Sequence, residues 1–215
     1  MTRHRWILAC AAVVWVAAVG FGFTYLFHYS VEAGAPASAP EEWPRESRIP
    51  APQGGYSLVM TIHPQCPCSR ASVTELNNLM ALLRRDRVKG HVLVVKPADF
   101  PDEWIRTESV RAAGQIPGVD VLVDIDGQES SRLGAVTSGQ VLLYGPDGRL
   151  RFAGGLTPER GHIGDSAGRR RIVSLVQTGT ADGNNSLVFG CELGATICPP
   201  RPHQTGSGSG SGSGS

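Results

Sequence analysis

The chain begins with one long apolar segment and continues as short apolar runs separated by polar turns. The run Trp6–Phe27 contains no charged residue, and a helix of that length rises roughly 33 Å, which is enough to cross a bilayer. Arg3 and Arg5 precede the run, and the next Lys or Arg is Arg45. The positive-inside rule therefore keeps the N-terminus in the cytoplasm and exports the rest of the chain.

A cleaved signal peptide is the alternative interpretation of this N-terminus. Small residues lie at 33–35 and 37–39, as they do at cleavage sites. The apolar run is longer than the core of a typical signal peptide, however, and Pro36 and Pro40 directly follow the two sites. We therefore favour an uncleaved single-pass anchor.

Strand-like and helix-like patterns alternate in the rest of the chain. Apolar runs predict strands at 56–62, 91–96, 119–123, 140–144 and 150–153. Helical spacing predicts helices from the first cysteine loop to about residue 86, near 109–113, within 128–134 and over 165–177. The order predicts a three-layer α/β fold with a mixed sheet, in which the first strands are parallel and the last two form an antiparallel hairpin.

These patterns also divide the chain into parts. They are an N-terminus at 1–5, an anchor at 6–27, a Pro- and Ala-rich linker at 28–54, a folded domain at 55–180, a tail at 181–204 that carries Cys191 and Cys198, and a flexible Gly-Ser linker at 205–215. The segment 28–54 has no helical or strand period, so we expect it to be a tether that holds the domain off the membrane surface.

Composition and charge exclude several classes of function. The 215 residues include 20 Lys and Arg against 19 Asp and Glu, for a formal net charge of +1. This balance argues against a chain that neutralises phosphates, so no nucleic-acid partner is expected. The sequence also lacks a phosphate-binding loop, a dinucleotide fingerprint and a serine nucleophile elbow.

The cysteines supply the candidate chemistry. Cys66 and Cys68 lie in the loop HPQCPC, between the first predicted strand and the helix that follows it. Pro67 suits the first position of a helix, which makes Cys66 the predicted N-cap, facing free main-chain N–H groups and the positive end of the helix dipole. Because this environment lowers the pKa of a thiol, Cys66 is the candidate attacking thiolate and Cys68 the candidate resolving thiol.

The loop 154–168 follows a strand that is expected to run parallel to the first, so it emerges at the same end of the sheet as Cys66. It carries Arg160 and His162, which we take as candidate catalytic residues that lower the Cys66 pKa or move a proton. In the alternative interpretation Arg160 is solvated and Asp165, in the same loop, caps the closing helix.

The tail offers a third thiol for this site. An extended chain from the last helix reaches far enough to bring Cys191 back to it, either as a resolving cysteine or as a metal ligand. A structural disulfide between Cys191 and Cys198 is the alternative.

A metal site is the second hypothesis for function. His63, Cys66 and Cys68 form a compact H-x-x-C-x-C set, and soft thiolates beside an imidazole suit copper(I) or zinc. With Cys191 as a further ligand, this set predicts a copper-binding or copper-chaperone module. The redox hypothesis needs no cofactor.

With these elements in place, the sequence resembles membrane-anchored, TlpA-like thioredoxin-like redoxins. The stretches HPQCPCSRAS, TSGQVLLYGPDGRLRFAGG and RGHIGDSAG are most similar to RedB-like redoxins. The resemblance covers about residues 55–192 and implies a thioredoxin fold and a periplasmic domain tethered to a bacterial inner membrane. It also implies thiol–disulfide oxidoreductase activity on a protein thiol or disulfide.

The sequence departs from the family pattern at two positions. Only one residue separates the cysteines, so that Ser69 occupies the usual position of the second cysteine. Ser138 occupies the place of the family's cis-proline, which normally shapes substrate contacts and discourages metal binding.

Overall fold

An N-terminal helix precedes the folded domain. The computed structural model describes residues 2–84 and 86–194, and its first helix, α1, covers Thr2–Val31. The part from Arg3 to Val31 is long and apolar enough to cross a membrane, and it lies exposed, away from the domain core. The helix is longer than the predicted anchor at 6–27 because the polar residues at both ends continue it.

The domain is built on a sheet of strands flanked by helices. The strands are β1 (Tyr56–Ile62), β2 (Val88–Lys96), β3 (Val119–Ile125), β4 (Gln140–Tyr144) and β5 (Leu150–Gly155). The helices are α2 (Ser69–Leu82), a 3-10 helix (Asp102–Ile105), α3 (Glu108–Gly114), α4 (Gln128–Arg132) and α5 (Ala167–Thr178). Their order along the chain is the order that the sequence predicts.

The strands lie in the order β3-β2-β1-β4-β5. Strands β1, β2 and β3 are parallel, whereas β4 is antiparallel to both β1 and β5. This confirms the predicted mixed sheet. The parallel pairs put the carboxyl end of β1 and the loop after it at one end of the sheet, where the cysteines lie.

Helices cover one face of the sheet. Alternate residues of β1 point to opposite faces, and Leu58, Met60 and Ile62 share the larger core cluster with Leu76 of α2 and Ile172 of α5. The opposite face carries a smaller apolar cluster that includes Val59, Leu142 and Tyr144.

The segment between α1 and β1 covers that second face. Ile49 is 1% exposed, and the ring of Trp43 packs edge-on against Tyr144 with centroids 5.0 Å apart. The N–H of Leu150 donates to the Glu41 carbonyl at 2.8 Å. The structure thus differs from the expected tether at 28–54, because the few apolar residues of this segment pack on the second sheet face together with Leu133 at the end of α4.

Candidate active site

The cysteine loop joins the carboxyl end of β1 to the start of α2. The N–H of Ser69 donates to the Cys66 carbonyl at 3.1 Å. This hydrogen bond closes a turn at 66–69 that precedes the helix. Helix α2 begins at Ser69, and Cys68 is its N-cap. The prediction that Cys66 is the N-cap and Pro67 the first helical residue is therefore wrong. The Cys-Pro-Cys motif still lies directly before the helix, at its positive end.

Three sulfur atoms meet at this helix start. Cys66 is 4% exposed, and its Sγ lies 2.9 Å from the Sγ of Cys191. Hydrogen bonding with Cys191 and Cys68 holds the pKa of Cys66 well below that of an ordinary thiol, although burial opposes it. The same bonds to Cys66, together with burial, raise the pKa of Cys68 and of Cys191. The cluster therefore stabilises one thiolate, centred on Cys66.

The tail crosses the site as an extended segment, residues 190–193, which we call the C-terminal strap. The N–H of Ser138 donates to the Cys191 carbonyl at 2.8 Å, and the N–H of Leu193 donates to the Val136 carbonyl at 2.9 Å. Thr137 and Glu192 form an antiparallel bridge between these bonds. The strap thus pairs like a β-strand with the residues before β4, and this pairing places Cys191 on Cys66.

Gly190 allows the strap to lie this close. A Cβ atom at position 190 would collide with the carbonyl oxygen of Ser138. The strap is preceded by Val188 and Phe189, whose side chains are buried. A buried anchor and a glycine therefore position the thiol-bearing residue that follows.

The two serines that depart from the family pattern are in contact with each other. The hydroxyl oxygens of Ser69 and Ser138 lie 3.0 Å apart. Ser138 accepts a hydrogen bond from the N–H of His63 at 2.9 Å, and the Ser69 hydroxyl donates to the His63 carbonyl at 2.8 Å. This buried network joins the end of β1, the start of α2 and the residues before β4.

His63 lies beneath the loop as a buried, neutral ring. Burial lowers its pKa, and the negative charge of Cys66 only partly opposes this shift. Its Nδ1 accepts a hydrogen bond from the N–H of Gln65 at 3.2 Å, and its ring packs edge-on against Trp104. In residues 2–84 and 86–194, no group of three or more His, Cys, Asp and Glu side chains is arranged to hold a metal ion. The metal hypothesis for His63, Cys66, Cys68 and Cys191 stays a prediction.

Arg160 reaches the site from the loop after β5. Its Nη1 donates to the Gly190 carbonyl at 2.8 Å, and its Nε donates to the Glu32 carbonyl at 3.0 Å. Its positive charge acts to lower the pKa of Cys68 and of Cys191, against the larger effects that raise it. The alternative of a solvated Arg160 is therefore wrong.

The other residues proposed for this loop lie elsewhere. His162 is exposed; its Nδ1 lies 2.9 Å from the Arg160 carbonyl oxygen and 3.7 Å from the Glu159 carboxylate, and its described contacts include none of the cysteines. Ser166, rather than Asp165, caps α5 by accepting a hydrogen bond from Arg169 N–H. Cys198 lies outside the described residues, so the Cys191–Cys198 disulfide stays a prediction.

The fold of the domain is thioredoxin-like, and a cysteine loop lies before its first helix. The strand order, the antiparallel β4 and the closing α5 confirm the fold that the resemblance implies. No family model matches the sequence, and no curated protein matches it. The more specific RedB-like assignment stays a prediction.

Similar solved structures come from different bacteria. The hypothetical protein SMc02350 from Sinorhizobium meliloti 1021 has a TM-score of 0.59 and 17% identity, over 77% of this chain and 100% of that one. An uncharacterized conserved protein from Geobacillus kaustophilus has a TM-score of 0.54 and 13% identity, over 79% and 94%. The structure of MTB dsbF has a TM-score of 0.42 and 13% identity, over 60% and 83%. The first two similarities show a shared fold alone.

Proposed function

We propose that this protein is a membrane-tethered thiol–disulfide oxidoreductase of the bacterial periplasm that acts on a protein thiol or disulfide through Cys66. The observation that carries the proposal is the position of the Cys66 sulfur. It lies in the turn that precedes α2, two residues before the N-cap Cys68, and 2.9 Å from a second thiol. A thiolate stabilised at such a place is the reactive form of cysteine, and a neighbouring thiol can displace whatever it binds.

The exchange conserves atoms and electrons without a bound cofactor. The Cys66 thiolate attacks one sulfur of a substrate disulfide, and the other substrate sulfur leaves as a thiolate that takes up a proton. A second thiolate of this chain then attacks the Cys66 sulfur and releases the substrate as a thiol. Two electrons pass to the substrate, and the chain gains an internal disulfide. The same steps in reverse oxidise a substrate dithiol.

Cysteine variants of the reduced full chain in detergent test this proposal. A peptide disulfide that carries a fluorophore and a quencher serves as substrate. We expect Cys66→Ser to abolish its cleavage, and the double variant Cys68→Ser, Cys191→Ser to retain a mixed disulfide on Cys66 that mass spectrometry detects. Cys10→Ser is the control, because Cys10 lies exposed on α1, away from the site. Cleavage at the normal rate by Cys66→Ser would show that the proposal is wrong.

Copper(I) titration separates this proposal from the copper hypothesis. A copper carrier that uses His63, Cys66 and Cys68 binds copper(I) stoichiometrically against a bicinchoninate competitor and loses this binding in His63→Ala. An oxidoreductase cleaves the peptide disulfide in metal-free buffer with chelator present.

A further inference from the structure

The C-terminal strap occupies the Cys66 site in the way that an extended polypeptide would. Two main-chain hydrogen bonds flank the bridge between Thr137 and Glu192, and Cys191, whose carbonyl accepts one of these bonds, lies with its sulfur against Cys66. Main-chain pairing of this kind does not depend on side chains, so any extended segment with a cysteine at the same register can form it.

The strap is held less firmly than the segment before it. Val188 and Phe189 are buried, whereas Glu192 is exposed and Leu193 only half-buried. Within residues 2–84 and 86–194, the hydrogen bonds that hold it beyond the anchor are those of Ser138 and Leu193 and the bond from Arg160 to the Gly190 carbonyl. The strap can therefore leave the site while its anchor stays packed, and its departure frees the Ser138 N–H and the Val136 carbonyl.

We propose that the C-terminal strap and an extended, cysteine-containing polypeptide substrate occupy the same groove in turn, and that Cys191 is the residue that resolves the mixed disulfide. This inference rests on the proposed function and names its substrate class and its second thiol. The groove consists of the main-chain edge at 136–138 and the Cys66 sulfur. The strap closes it when no substrate is bound.

The strap leaves, the substrate segment pairs with the edge at 136–138, and the Cys66 thiolate attacks the substrate disulfide. The distal substrate sulfur leaves and is protonated. When the strap returns, the Cys191 thiolate attacks the Cys66 sulfur and breaks the mixed disulfide, so that the substrate leaves as a thiol and a Cys66–Cys191 disulfide remains. The substrate disulfide is the oxidant of the chain's two thiols.

Burial makes Cys191 the better placed of the two candidate resolving residues. Cys68 is 6% exposed and fixed as the N-cap of α2, whereas Cys191 is half-buried on a segment that can move. Cys191 also approaches Cys66 from the groove, which is the side from which the substrate must leave.

Release of the strap is tested by one substitution with a matched control. Leu193→Pro removes the N–H that donates to Val136, whereas Leu193→Ala loses the same side chain and keeps that N–H. In the reduced full chain, we expect iodoacetamide to alkylate Cys66 about tenfold faster in the proline variant than in the alanine variant, the effect of losing one such bond. Peptide mapping by mass spectrometry assigns the label to Cys66. Equal rates would overturn the role of the strap as a cover.

The substrate class is tested with a peptide of the strap's own sequence. LVFGCELG, activated as its thionitrobenzoate disulfide, is mixed with the full chain that carries Leu193→Pro and Cys191→Ser. We expect it to react with Cys66 about tenfold faster than the same peptide methylated on the leucine nitrogen after CE, because methylation removes one main-chain bond. Equal reactivity of both peptides would overturn the groove but leave the oxidoreductase proposal standing. No reaction with either peptide would refute the proposed function itself.

The role of Cys191 is tested by single turnover. After attack on the peptide disulfide, Cys68→Ser is expected to release the peptide at the normal rate, whereas Cys191→Ser retains it on Cys66. The reverse pattern, with retention in Cys68→Ser alone, would assign resolution to Cys68 and overturn this part of the inference.

Discussion

Ser138 accepts a hydrogen bond at its hydroxyl oxygen from the main-chain N–H of His63, at a distance of 2.9 Å. Ser138 stands where the resemblance places a proline, and Ser69, 3.0 Å away, stands where it places the second cysteine. The two departures from the family pattern are therefore linked, because each hydroxyl helps to satisfy the polar groups around the other.

Loss of this hydroxyl is expected to destabilise the domain. Ser138→Ala leaves the buried His63 N–H without a partner, which costs about 1–3 kcal/mol in the free energy of unfolding. Ser57 is the matched control, since it is 2% exposed against 1% for Ser138 and its hydroxyl has no hydrogen-bond partner. Ser57→Ala is expected to be neutral or stabilising. Guanidinium unfolding of the reduced protein measures the free energy of unfolding of both variants. Equal losses in Ser138→Ala and Ser57→Ala would contradict the assigned hydrogen-bond network.

A buried ion pair holds the loop that carries Arg160. Glu75 of α2 is fully buried; its carboxylate accepts from Arg169 Nη1 and from the N–H of Gly164, both at 2.8 Å. Glu75→Ala leaves the partly buried Arg169 with only the exposed Asp165 as a partner and the Gly164 N–H without its acceptor, and it is expected to lower the free energy of unfolding by about 3 kcal/mol. Glu108→Ala removes an exposed partner of Arg70 and is expected to cost less than about 1 kcal/mol. Similar losses in both variants, measured by the same unfolding curves, would refute this contrast.

Local patterns predict the framework of the fold because buried strands are continuous apolar runs, each helix buries one apolar stripe, and tight turns need particular residues. The apolar run at 56–62 is buried on both faces of the sheet, and the turn residues at 145–148 join two strands, so the structure has both elements where the sequence predicts them. Local patterns do not reveal how the segment around Trp43 and Ile49 covers the second sheet face. That contact joins isolated apolar residues to a distant surface.

The site shows the same division between local and long-range information. The loop at Cys66 and Cys68 is visible in the sequence, because cysteines beside a helix start are a local pattern. The hydrogen bonds of the strap are main-chain bonds between segments far apart in the chain, so no side-chain pattern encodes them. The glycine before Cys191 is the one local signal, since it marks a close approach of two backbones.

The lowered pKa of Cys66 makes the stability of the reduced protein depend on pH. An unfolded cysteine titrates near 9, so below that pH the unfolded state binds a proton at Cys66 that the folded state does not. Stability from this group is present above pH 9 and is lost as the pH falls toward the lower folded pKa, by up to about 1.4 kcal/mol per pH unit.

Unfolding of the reduced chain at pH 8 and at pH 6 measures this effect. We expect the free energy of unfolding to fall between the two values in the wild-type protein, and to fall less in Cys66→Ser, which lacks the group. In Cys191→Ala the pKa of Cys66 rises, because its first hydrogen-bond partner is gone, and the dependence should weaken as well. If the free energy of unfolding changed between pH 8 and pH 6 as much in both variants as in the wild-type protein, a stabilised Cys66 thiolate would be contradicted.

Arg160 is expected to control the pH at which the mixed disulfide is resolved. Its charge acts to lower the raised pKa of Cys191, so Arg160→Gln raises that pKa further and reduces the fraction of attacking thiolate. Release of the peptide in single turnover should then shift to higher pH in this variant. Arg151→Gln is the control, because Arg151 is a surface residue paired with Asp147. A lower rate with an unchanged pH profile would instead assign Arg160 a purely structural role in holding the strap.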